Sequence, residues 1–67
     1  MNKNEAIELM KKGVKITQVG FSKHEWMTME KGNIVLEDGV VCSTYEFWRW
    51  RTEDYWNEGY SIFKEIN

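Results

Sequence analysis

The residues of this chain best equipped for chemistry lie in one run, Phe47-Trp48-Arg49-Trp50-Arg51. Both arginines of the protein fall in it, and the seven other cations are lysines. A guanidinium presents a planar fork that pairs bidentately with phosphate and stacks on rings. An indole offers a flat face on which a base can lie. Together these groups suit a nucleotide: the rings stack the purine and the arginines clamp the phosphates. Phe21, Lys23 and Trp26 are candidate neighbours, which gives a ligand-binding set of Phe21, Lys23, Trp26, Trp48, Arg49, Trp50 and Arg51. A helix start at Ser43–Tyr45 would add backbone N–H donors for an anion. The competing assignment makes Phe47 and one tryptophan core residues, with Arg49 and Arg51 solvated or paired with Glu46, Glu53 or Asp54.

Other chemistries are poorly supplied. Nucleophilic catalysis needs a nucleophile, a base and an orienting group together. The chain has one histidine, His24, in a polar loop, and one cysteine, Cys42, inside the apolar stretch Val40-Val41-Cys42. Cys42 reads as a buried structural thiol. A single cysteine excludes an intramolecular disulfide and a multi-cysteine zinc cage. There is no Walker loop and no GxGxxG cradle, and no clustering of metal ligands, so no cofactor and no metal is expected. A non-catalytic role follows as the expectation.

Composition narrows the class further. The net charge is −2, with 9 Lys+Arg against 11 Asp+Glu, which weighs against a nucleic-acid backbone binder. No apolar run approaches the ~18 residues of a membrane span. Residues 1–10 do not read as a signal peptide, and a cytoplasmic setting, that of a host cell, is expected. Ten of the 67 residues are aromatic. A chain this short buries only ~60% of its unfolded surface, while each aromatic covers ~150–250 Å². Some rings must therefore meet a second subunit, a partner or a flat ligand. A homodimer or higher homo-oligomer is the expected state.

One domain, 1–67, positions these groups. A helix is predicted from about Asn4 to Lys12, capped by Asn2 or Asn4 and ended at Gly13. Strands are predicted at Val14–Val19, Glu25–Glu30 and Asn33–Glu37. Asp38-Gly39 makes a hairpin turn into Val40–Cys42. Ser43 and Glu46 fit a capping box, so a second, short helix should run from about Thr44 to Arg51. The alternation in 47–51 also permits a strand with both tryptophans on one face; the capping box favours the helix. Residues 53–58 read as a polar connection and Gly59–Glu65 as the last strand. The fold class is α+β: an antiparallel sheet of about four strands with an N-terminal helix and a second short helix before the last strand. Met27, Met29, Ile34 and Leu36 should share the face under the first helix. The opposite face keeps Trp26, Val35 and Val41, which points to dimerisation through the sheet or the second helix.

The order of features has a counterpart. Glu5-Ala6-Ile7 lies in the opening helix, and Lys11-Lys12-Gly13-Val14-Lys15-Ile16 leads into the first strand. Phe21 follows in the next loop, then Glu25-Trp26-Met27, Glu37-Asp38-Gly39, Glu46-Phe47-Trp48 and a closing Trp56-Asn57-Glu58-Gly59-Tyr60-Ser61-Ile62. This pattern resembles small phage-encoded proteins of the Thoeris anti-defence, TIR-signal sponge type. The resemblance implies an oligomer that binds ADP-ribose-derived messengers at subunit interfaces and holds them uncleaved, blocking bacterial anti-phage defence. The family often carries an Arg and then a Trp late in the first strand. Here the stretch is Gln18-Val19-Gly20-Phe21, so phosphate binding would pass to Arg49, Arg51, Lys15 or Lys23. A cyclic ADP-ribose isomer, a histidine–ADP-ribose conjugate and a cyclic oligonucleotide are the ligand classes in view. The rival function is inhibition of a host protein by direct contact through the same aromatic and arginine surface.

Overall fold

A computed structural model describes residues 1–65. Element order is α1 (Lys3–Lys11), β1 (Ile16–Gln18), β2 (Met27–Glu30), β3 (Asn33–Leu36), β4 (Val41–Ser43), α2 (Thr44–Arg49), a 3-10 turn (Asp54–Asn57) and β5 (Tyr60–Ile62). The fold is α+β, and the sheet has five antiparallel strands ordered β4-β3-β2-β1-β5. The strand after the Asp38-Gly39 turn is a full member of it.

Local chemistry accounts for the element ends. Asn2 caps α1: its side chain accepts from the Glu5 N–H at 2.9 Å, and Glu5 Oε1 accepts from the Asn2 N–H at 3.0 Å. Two of the orphan amides of the first turn are thereby satisfied. Gly13, at φ 87°, then releases the chain from the helix. Between β3 and β4 the Gly39 N–H donates to Leu36 O at 2.9 Å, and Gly39 takes φ 87°. This is the three-residue hairpin with a left-handed last residue.

The pairing Met27↔Leu36, Met29↔Ile34 and Ile34↔Cys42 sets one face of the sheet as the core face. Ala6, Met10, Ile16, Met27, Ile34, Phe47 and Tyr60 are its buried apolar residues. Two helices divide the cover. α1 packs on β1, β2 and β5, while α2 packs on β3 and β4. The four residues expected under the first helix thus do share a face, but the Leu36 end of it lies towards α2.

The other face carries Trp26, Val35 and Val41, as the alternation required. Trp26 lies just ahead of β2 and packs against Phe63 with ring centroids 6.4 Å apart, and Lys15 Nζ stands 4.4 Å over its ring. Thr28 is buried, its hydroxyl donating to Val14 O at 2.9 Å. No described helix is long and apolar enough to cross a membrane.

The strands are shorter than their apolar patterns suggested. β1 keeps three of the six residues predicted for it and β5 three of seven. Val19 N–H still donates to Gly59 O at 3.0 Å, but Val19 is exposed and Gly59 takes φ 83°, so the regular strands stop there. α2 stops at Arg49, two residues early, because Trp50 and Arg51 leave the ladder and both donate to Trp48 O.

Candidate functional site

Ser43 starts the site. Its Oγ accepts from the Glu46 N–H at 3.1 Å and fixes the first turn of α2. The helix, not the strand, is therefore the conformation of 44–49, and consecutive aromatics point to different sides. Phe47 enters the core. Trp48 lies half-buried in an edge-to-face cluster, 4.9 Å from Phe47 and 6.4 Å from Trp56 by ring centroids. Trp50 points outward and is 72% exposed.

The two arginines take different roles. Arg51 is tied down: its Nη1 donates to Phe47 O at 2.8 Å, and its guanidinium stacks 4.0 Å from the Phe47 ring centre and 5.6 Å from that of Trp56. Arg49 stands between two exposed rings, 4.8 Å from Trp50 and 5.9 Å from Tyr45. Among the described residues neither arginine pairs with a carboxylate. The competing assignment is therefore met in part: Phe47 is core, Trp48 packs inward and Arg49 is exposed to solvent, whereas the pairing with Glu46, Glu53 or Asp54 is not seen among the described residues.

An open groove of about 580 Å³ runs beside these groups. Leu36, Val40 and Cys42 supply one wall and Tyr45, Arg49, Trp50 and Arg51 the other. Its size falls in the range of small-molecule sites, about 300–1,000 Å³. Stacking surface and positive charge are thus adjacent in it. Glu46 also lines it and is the one acidic residue there.

Of the predicted set, Arg49, Trp50 and Arg51 meet at the groove. Trp48 does not line it; it packs inward, with Lys3 Nζ 4.3 Å over its ring. Phe21 joins the same inner cluster, edge-on to Trp56 at 6.0 Å. Lys23 is exposed in the connection before β2, and Trp26 lies on the opposite face of the sheet. The groove does not unite these two with Arg49. Cys42 is partly rather than fully buried: it packs against the core opposite Ile34, on the edge strand β4, which has a neighbour on only one side.

Sequence reasoning left out Tyr45 and Trp56. Tyr45 sits at i−4 from Arg49, the spacing that brings helical side chains together, so it was readable. Trp56 was not, since its position depends on the fold of the 3-10 turn. Gln18 fixes that turn. Its buried Nε2 donates to Tyr55 O at 2.6 Å and Glu58 O at 3.2 Å, and its Oε1 accepts from the Gly20 N–H at 2.8 Å. The Tyr60 hydroxyl donates to Trp56 O, and burial pushes its pKa up to about 12. The tryptophan that backs Arg51 is therefore anchored from β1 and from β5.

No protein-family model matches the chain, and neither a curated protein nor a solved structure matches it significantly.

Proposed function

We propose that the protein is a non-catalytic binder that sequesters a flat, phosphorylated small molecule, an ADP-ribose-derived immune signal, and so blocks a bacterial anti-phage defence. One observation carries this reading: Arg49 stands between the exposed rings of Tyr45 and Trp50 at an open groove that also presents Arg51. Trp50 or Tyr45 would take the base, and the guanidinium groups would take the pyrophosphate. The ring-backed Arg51 is pre-set in one geometry, which lowers the ordering cost of binding. The resemblance of the sequence pattern to TIR-signal sponges supports the choice of ligand class. Phe21, Trp48 and Trp56 act from behind, by holding Phe47 and Arg51. Sequestration requires tight retention, and a second copy closing the open side would slow release. Native mass spectrometry after incubation with lysate from cells with an activated TIR system tests this. The expected result is one intact ADP-ribose-type molecule retained per groove; a protein recovered empty, or a cleaved product, contradicts it.

The rival reading, direct inhibition of a host protein, draws on the exposure of Tyr45 and Trp50, each 72%. Tyr, Trp and Arg are the residue types that dominate interface hot spots. A stoichiometric host protein in a pull-down, with no small molecule released on heating, would favour it.

A further inference from the structure

The outer edge of β4 is open, and we infer that a second copy of the chain pairs with it, antiparallel about a two-fold axis at Val41. Leu36 N–H donates to Val40 O at 2.9 Å, so Leu36 and Val40 form a hydrogen-bonded pair. In an antiparallel ladder such pairs alternate with non-bonded ones. Ile34 and Cys42 are then bonded to each other, and Val41, opposite Val35, turns its N–H and C=O outward.

Among the described residues nothing guards this edge. Natural sheets blunt a free edge with lysine, proline, a bulge or a covering segment. Residues 39–45, Gly-Val-Val-Cys-Ser-Thr-Tyr, contain no charge and no proline. Val40 and Tyr45 are largely exposed, and Val41 is 58% exposed. The opposite edge is treated differently. Tyr60 N–H donates to Met1 O at 3.2 Å and the Met1 amine donates to Tyr60 O at 2.8 Å, so Met1 covers β5 there. Charged Lys64 and Glu65 follow.

Self-pairing satisfies the open groups. Each Val41 N–H would meet the C=O of the second copy's Val41, and each Ser43 N–H the C=O of its Gly39. Ser43 C=O is already committed to the first bond of α2, which favours the axis at Val41 over one at Cys42. The neutral stretch meets itself, so no like charges are opposed. Val40 of each copy falls opposite Cys42 of the other. Both residues line the groove, so the two grooves lie side by side across the axis. Three residues a side bury less than the roughly 1,600 Å² of a standard interface. The dimer is therefore concentration-dependent, and Tyr45 belongs to its rim.

This inference stands apart from the nature of the ligand. Amide hydrogen exchange on the unmodified protein tests it, together with sedimentation. Dimer is expected at high concentration, with the Val41 amide protected there and exchanging freely on dilution. Val41→Lys should leave the circular dichroism unchanged and give a monomer at every concentration, whereas Val41→Thr and Ile62→Lys should still dimerise. A monomeric unmodified protein, an unprotected Val41 amide in the dimer, or a dimeric Val41→Lys variant overturns it. Ligand uptake by an unmodified protein that stays monomeric at every concentration would strike this inference alone; a dimer that takes up no ligand would strike the groove reading alone.

Discussion

Replacing Gln18 by leucine should detach the 3-10 turn from the sheet. Gln18 is 2% exposed and makes three hydrogen bonds, to Tyr55 O, Glu58 O and the Gly20 N–H. Each such bond contributes about 0.5–1.5 kcal/mol net, and a buried group left unpaired costs about 1–3 kcal/mol. Tyr55, Glu58 and Gly20 are themselves exposed, so water can reach part of what leucine abandons. A loss of about 2–3 kcal/mol results, in a chain whose small core supplies only ~3–5 kcal/mol. Urea unfolding reads it: with a slope near ~1 kcal/mol per molar, the midpoint should fall by about 2–3 M. Tryptophan emission should shift red before the global transition, because Trp56 loses its anchor while β2 and β3 hold. A midpoint within about 0.5 M of the unmodified protein would refute the claim that Gln18 is the main polar anchor of the turn.

Three further predictions concern stability. Gly59→Ala should destabilise by about 1–2 kcal/mol or more, since Gly59 takes φ 83° and an added Cβ would lie 2.9 Å from Val19 Cγ2; thermal unfolding measures it. Ser43→Ala removes the cap of α2 at a cost of about 1 kcal/mol and should lower the helical signal in far-ultraviolet circular dichroism. Stability should fall as pH rises from about 10 to about 12, because native Tyr60 keeps its proton over that range while the unfolded chain gives it up. Tyr60→Phe should lose that pH dependence in urea titrations, and a slope unchanged by the substitution would contradict the assignment.

Most of the scaffold was legible because its signals are local. Asn2 and Ser43 carry their capping chemistry in their own side chains, and Gly13 and Gly39 mark the left-handed turns. The alternation of Met27, Met29, Ile34 and Leu36 set the core face. Strand ends were less legible: Val19 and Phe63 fit the alternation and still donate across the β1–β5 pair, to Gly59 O and Lys15 O, but lie outside the regular strands. The site was only partly readable for the same reason. Arg49, Trp50 and Arg51 are neighbours in sequence and meet at the groove. Trp26 and Lys23 carry suitable side chains, yet the alternation already put Trp26 on the other face of the sheet; what no local pattern reports is that Arg49, Trp50 and Arg51 lie on the core-face side, away from it. Cys42 looked fully buried from its apolar neighbours; it packs on the core but is only partly covered, since β4 is an edge, a property of strand order.

Calorimetric titration of the protein with ADP-ribose and with its cyclic isomers tests the central claim most directly. Saturable binding of at least one of them is expected at about micromolar affinity or tighter, near −8 kcal/mol. Trp50→Ala and Arg49→Ala should each weaken it by about tenfold to a hundredfold, the scale of one lost stacking contact or charge-assisted bond, with the unfolding midpoint unchanged. No heat with any of these ligands, or full affinity in both variants, would contradict the account.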